Sequence, residues 1–161
     1  MKVQKSKTSV KIKKSSLKVE KKSSVKKVSL NSDLQAKFKK AYHYMHSGDE
    51  EFAKKGRDIF LEIIKTSPKF KSEEGDNPYY YLGIYCEGDP RQKKRAIDYF
   101  TKAIKLDPKD AESMQERGFC WMDLGEKKKA LKDLKKAKLF EDEAGLHPDL
   151  DEYISELSEK I

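Results

Sequence analysis

His43 and His46, three residues apart in the stretch "HYMH", form the closest approach to a metal-ligand pair in this 161-residue chain. On a helix that spacing puts both imidazoles on one face. A closed zinc site needs four donors, and no Asp, Glu or Cys stands at ligand spacing beside them within their helix. Cys86 and Cys120 are the only cysteines; they match no ligand spacing and fall inside predicted helices, where they read as small apolar core groups. Two such thiols make no disulfide framework, and a reducing compartment suits them. No Gly-rich phosphate loop, nucleophile elbow or Ser, His and Asp constellation is legible. The expectation is a non-enzyme without metal or cofactor, whose chemistry is non-covalent binding.

The charge that could serve binding is unevenly placed. Residues 1–30 hold 11 Lys and a single acid, Glu20, for a net charge of +10, whereas residues 141–161 hold one Lys and eight acids, for −7. The first stretch has isolated aliphatics, no aromatics and eight Ser or Thr. It cannot bury enough apolar surface to offset ordering its backbone, at roughly 1–2 kcal/mol per residue, so it is predicted to be a disordered basic tail. Lys11, Lys13, Lys14, Lys21, Lys22, Lys26 and Lys27 are its candidate attachment residues for nucleic-acid phosphates, because each Lys set against a phosphate releases a counterion. The same runs, "KIKK" and "KKSSVKK", have the character of a nuclear import signal. No apolar run approaches the roughly 20 residues needed to span a bilayer, and a cytoplasmic or nuclear location is expected.

Positioning elements begin at "NSDLQAKF", where Ser32 can cap a helix and Gln35 can reach back to the cap's own N–H. Phe38, Ala41, Tyr42 and Met45 then recur at helical spacing up to Gly48. A second helix puts Phe52, Gly56, Ile59, Phe60 and Ile63 on one face, and "KFKSEEGD" follows as a polar, irregular loop. Asn77 and Pro78 open a third helix that Gly88 closes. Asp89 caps a fourth, with Gln92 completing the box. A third pair runs through "DPKDAESMQERGFCWMDLG" and "EKKKALKDLKKAKLFEDEAG", its second helix carrying seven Lys from Lys127 to Lys138 as a solvated face. Leu150, Tyr153, Ile154, Leu157 and Ile161 give the last segment an apolar stripe. No strand alternation competes with this helical rhythm.

The second and third pairs are copies of each other. Gly83 and Gly118 stand 35 residues apart, and Ala96, Phe100 and Ala103 stand 34 residues before Ala130, Leu134 and Ala137. That period belongs to helix-turn-helix arrays. With Tyr79, Leu82, Gly83, Ala96, Phe100, Ala103 and Pro108, the second pair resembles the tetratricopeptide repeat family, and its "YYYLGIYCEG" phrase also resembles the Sel1-like repeat. The third pair follows with Met114, Gly118, Trp121, Gly125, Ala130, Leu134 and Ala137, but has Arg117 where Leu is usual and Asp142 where Pro is usual. The first offers Ala41, Tyr44, Gly48, Phe60 and Pro68.

The resemblance implies an all-α, right-handed α-solenoid of about three antiparallel helix pairs over residues 31–146, plus a C-terminal capping helix over 147–161. It further implies an adaptor, whose first helices line a groove that takes a peptide or helix of another protein. Carried over by position, the groove residues are Phe38, Tyr42 and Met45, then Tyr80, Tyr81 and Ile84, then Glu112, Gln115, Glu116, Phe119 and Met122. This surface is aromatic at one end and acidic at the other, which suits apolar anchors with some positive charge. The acidic chaperone tail that some family members clamp with Lys, Asn and Arg would be repelled here. An alternative expectation is a nucleic-acid-associated protein attached through its tail.

Overall fold

A computed structural model describes residues 28–140 and 146–160. The tail lysines from Lys11 to Lys27, Asp142 and Ile161 lie outside these residues. Residues 1–36 and 37–161 form two units; the described part of the first is the helical stretch 28–36, in which Leu34 and Gln35 are buried.

No strand occurs among the described residues. The helices are α1 (28–45), α2 (Glu50–Thr66), α3 (Pro78–Glu87), α4 (Lys93–Leu106), α5 (Ala111–Asp123), α6 (Lys127–Leu139) and α7 (Leu150–Glu159). A single 3-10 turn, Pro90–Gln92, precedes α4. In the unit 37–161 each helix from α2 to α7 packs on the next, or through the 3-10 turn, and α3 also touches α5. This is a helical solenoid, and among the described residues no helix is long and apolar enough to cross a membrane.

The caps follow the side-chain chemistry. Asp49 Oδ1 accepts from the N–H groups of Glu51 and Phe52 at 2.8 and 3.0 Å, Asn77 Oδ1 from Tyr80 N–H at 3.2 Å, and Asp110 Oδ1 from Ser113 N–H at 2.8 Å. Gly48 and Gly125 stop α1 and α5 at φ of 75° and 74°, which side chains with a Cβ rarely adopt. Two predicted caps differ. Ser32 lies inside α1, because residues 28–31 contain neither Gly nor Pro and continue the helix upstream. Gln92 Nε2 donates to Asp89 Oδ2 at 3.1 Å instead of reaching the Asp89 backbone, since Pro90 opens a separate 3-10 turn between cap and helix.

Each pair is held by a small residue facing a bulky one. A Cβ on Gly83 would sit 2.5 Å from Phe100 Cε1, and one on Gly118 would sit 2.5 Å from Leu134 Cδ2. In the first pair the small residue is on the second helix: a Cβ on Gly56 would meet the Ala41 carbonyl oxygen at 2.9 Å. Bare backbone at these points lets the helices approach closely. Gly56, Phe60 and Ile63 are buried, as are Ala96, Phe100 and Ala103, and Ala130, Leu134 and Ala137. The same four-then-three spacing thus builds all three second helices.

The 67–77 loop is irregular but anchored, not merely polar. Phe70 is buried with its ring 5.7 Å from that of Phe38, and Lys71 Nζ reaches Asp107 Oδ2 at 2.8 Å. A tight turn closes its end, with Ser72 N–H donating to Asp76 O at 2.7 Å and Gly75 at φ 99°. Cations of the second helices lie over aromatic rings: Arg57 over Tyr85 of α3, Arg95 over Tyr99 within α4, and Lys129 over Trp121 of α5 at 4.5 Å. The seven α6 lysines are exposed; Lys129 pairs with Glu126 and Lys138 with Asp151.

Candidate functional site: the face of the first helices

α1, α3, α5 and α7 lie side by side. Tyr81 on α3 meets Phe38 and Tyr42 on α1 at ring distances of 5.7 and 5.6 Å, α3 packs on α5, and Phe119 on α5 meets Tyr153 on α7 at 5.3 Å. The expected groove residues divide by burial along this face. Tyr42 keeps 38 % of its surface exposed, and Met45, Tyr80, Ile84, Glu112, Glu116 and Met122 are half-buried.

Phe38, Tyr81, Gln115 and Phe119 depart from the groove expectation. Phe38 is buried among the rings of Phe60, Phe70 and Tyr81. Tyr81 stacks on Phe60 with centroids 5.2 Å apart and is 8 % exposed, so both residues are floor rather than open wall. Gln115 is buried because its Oε1 accepts from His147 N–H at 2.6 Å, tying down the entry to α7. Phe119 is flanked by His147 and Tyr153. The end of the face that α7 covers is therefore closed, as a capping helix requires.

Carboxylates line what stays open. Asp76 is raised by burial and by Glu74 and Asp110, and Glu112 by burial and by Asp110, Asp76 and Glu116. Burial likewise raises Glu116. Glu87, at the C-terminal end of α3, is pushed up to about 7 by burial and by the Glu116 carboxylate, to which its protonated form hydrogen-bonds. The Tyr80 phenol beside them is driven upward by burial, Glu112 and Glu116. An acidic lane thus runs from the 67–77 loop to the end of α3. Its two ends open into clefts of about 400 Å³, lined by Lys39, Tyr42, His43, Glu74, Asp76 and Glu112, and about 630 Å³, lined by Glu87, Gly88, Pro90, Lys93, Asp123 and Leu124.

The Glu87–Glu116 pair makes stability depend on pH. A carboxyl raised in the folded state stabilises it fully below its ordinary value of 4.5, and that contribution is lost as pH rises through about 7. Lys93, paired with Asp123 beside Glu87, offsets only part of the repulsion. Glu87→Gln, which keeps a donor toward Glu116 without the charge, is expected to raise the melting temperature at pH 8 and to change it little at pH 5. Equal shifts at both values would remove the pair from the account.

Cys86 and Cys120 are free and buried. Burial raises Cys86 and, joined by the Glu87 carboxylate, pushes Cys120 up to about 12, holding both as inert thiols. His46 stacks on Tyr42 at 4.2 Å with its Nδ1 2.9 Å from Tyr42 O. Among the described residues no group of three or more His, Cys, Asp or Glu is placed to hold a metal ion. Sequence reasoning missed Glu74, Asp76 and Glu87 as members of this face. The signal for the first two was the run of acids on either side of Gly75 in the loop, legible only once Phe70 is known to pin that loop.

Comparison with protein-family models finds no match, and comparison with curated proteins finds none at a significant level.

Proposed function

We propose that the chain is a non-catalytic, tetratricopeptide-like adaptor that binds a peptide or helix of another protein along the face of its first helices. The observation that carries this is the partly exposed strip of Tyr42, Met45, Tyr80 and Ile84 set along a lane of carboxylates. Apolar anchors beside charge are how helical grooves recognise segments. An acidic lane selects against acidic tails and for segments with positive charge. Buried free thiols suit a reducing cytoplasm or nucleus.

The test is affinity capture on the full chain and on its Tyr42→Ala, Ile84→Ala variant, two partly exposed positions whose truncation leaves the core intact. A specific protein partner is expected to bind at both ~50 and ~200 mM salt, since apolar contacts resist screening, and to weaken roughly tenfold or more in the variant. The +10 tail favours a second reading, attachment to nucleic acid. Capture of nucleic acid alone, lost steeply over the same salt range and indifferent to the variant, would establish that reading instead.

A further inference from the structure

We propose that the 400 Å³ cleft between α1, the 67–77 loop and the start of α5 receives one cationic side chain, Lys or Arg, from the partner's segment; this rests on the adaptor reading and adds the chemistry of its anchor. Three features of the cleft point there together.

The first is charge without a partner. Glu74, Asp76 and Glu112 line the cleft, yet none takes part in an ion pair among the described residues. Asp76 is held by its own backbone, its N–H donating to Ser72 Oγ at 3.1 Å and its carbonyl accepting from Ser72 N–H, so the turn fixes the carboxylate at the rim. Burial, joined by repulsion from neighbouring carboxylates, raises both Asp76 and Glu112, and an arriving cation would favour their charged forms.

The second is an aromatic lining. Tyr42 leaves 38 % of its surface open with His46 stacked on it, and Phe38 and Tyr81 make the floor. A cation beside aromatic rings and carboxylates gains from both, whereas an anion gains from neither. The third is continuity. A smaller hollow of about 210 Å³ shares Asp76 and Glu112 and is walled by Tyr80, so the cleft opens onto the same strip that would hold the segment's apolar residues. A volume of about 400 Å³ lies at the low end for binding pockets, suited to one side chain rather than a whole ligand. Lys39 lies on the rim and opposes the occupant.

Dodecamer peptides displayed on phage and selected against the full chain test this. The expected consensus fixes a Lys or Arg next to apolar positions. The leading peptide, made synthetically, should bind roughly tenfold more weakly when its basic residue becomes norleucine. It should lose the same factor on the Asp76→Asn, Glu112→Gln protein, with no further loss when both changes are combined. Lys39→Ala should tighten binding. The Asn and Gln variants remove like charges, so thermal melts should show them folded.

Peptides enriched without a basic residue, or losses that simply multiply, would overturn the cation cleft while leaving the groove standing. No enriched peptide, or binding indifferent to Tyr80→Ala and Ile84→Ala, would overturn the groove reading and this inference with it. Tighter peptide binding after Lys→Gln at Lys13, Lys14, Lys21, Lys22, Lys26 and Lys27 would make the chain's own basic segment the occupant and overturn the assignment to a partner.

Discussion

Phe100→Ala is expected to cost about 3–5 kcal/mol, a large share of the roughly 5–15 kcal/mol that holds a domain of this size folded. Phe100 is fully buried and its ring lies flush against the backbone of Gly83. The facing position, Gly83, has no side chain that could swing in to refill the space. Urea denaturation should show a lower midpoint with an unchanged slope. Gly83→Ala alone should also destabilise, by about 1–3 kcal/mol, as its Cβ is forced into the ring. The double variant is the sharper measurement: the new methyl fills part of the cavity, so the combined loss should fall clearly below the sum. Additive losses would show that the two residues do not form one packing unit.

The second large effect is expected at Arg117, where the repeat pattern asks for Leu. Its Nε and Nη2 donate to the two carboxylate oxygens of Asp133 at 2.7 and 2.8 Å, and Nη1 donates to Thr101 Oγ1 at 3.0 Å. The Asp133 side chain is 7 % exposed and that of Arg117 18 %. Arg117→Leu strands the Asp133 charge in the interior, at a cost of about 3–5 kcal/mol. Arg117→Lys should recover only part of this, since an ammonium cannot make the two parallel bonds. Replacing both partners with apolar residues should return most of the stability. If Arg117→Leu alone melts like the parent chain, the pair is solvated in solution and this account of the departure from the pattern fails.

The helices were legible because their caps and stops are local. Asp49, Asn77 and Asp110 each bond within three residues of themselves, and Gly48 and Gly125 end helices through their own backbone. The stacking of the second and third pairs was legible for a related reason: each Gly and its bulky partner recur at a nearly constant offset. The first pair matched more loosely. Gly56, Phe60, Ile63 and Pro68 stand 40 residues before Ala96, Phe100, Ala103 and Pro108, and the extra length sits in the 67–77 loop. A fixed period of 34 misses that offset, so only Phe60 and Pro68 of the four entered the match.

The site was less legible than the fold. Helical spacing brought Tyr42, Tyr80, Ile84, Glu112 and Glu116 to one face, but it cannot say how deep a ring sits. Phe38 and Tyr81 sink because Phe60 and Phe70 arrive from α2 and from the loop, contacts that depend on tertiary structure. Arg117 read as a flaw in the pattern because its compensation, Asp133, lies on the next helix. Glu87 looked like an ordinary helix end until Glu116 appeared opposite it.

Because α7 seats on Phe119 and its entry is tied to Gln115, the open strip ends within α5. From α1 to α5 it crosses two helix spacings of about 8–10 Å each, a span near 20 Å. Extended backbone covers that in about six residues and a helix in about thirteen. Under the proposed function, a segment lying there would be read as a short word, so its few fixed letters would carry the whole discrimination and a single altered one should be decisive.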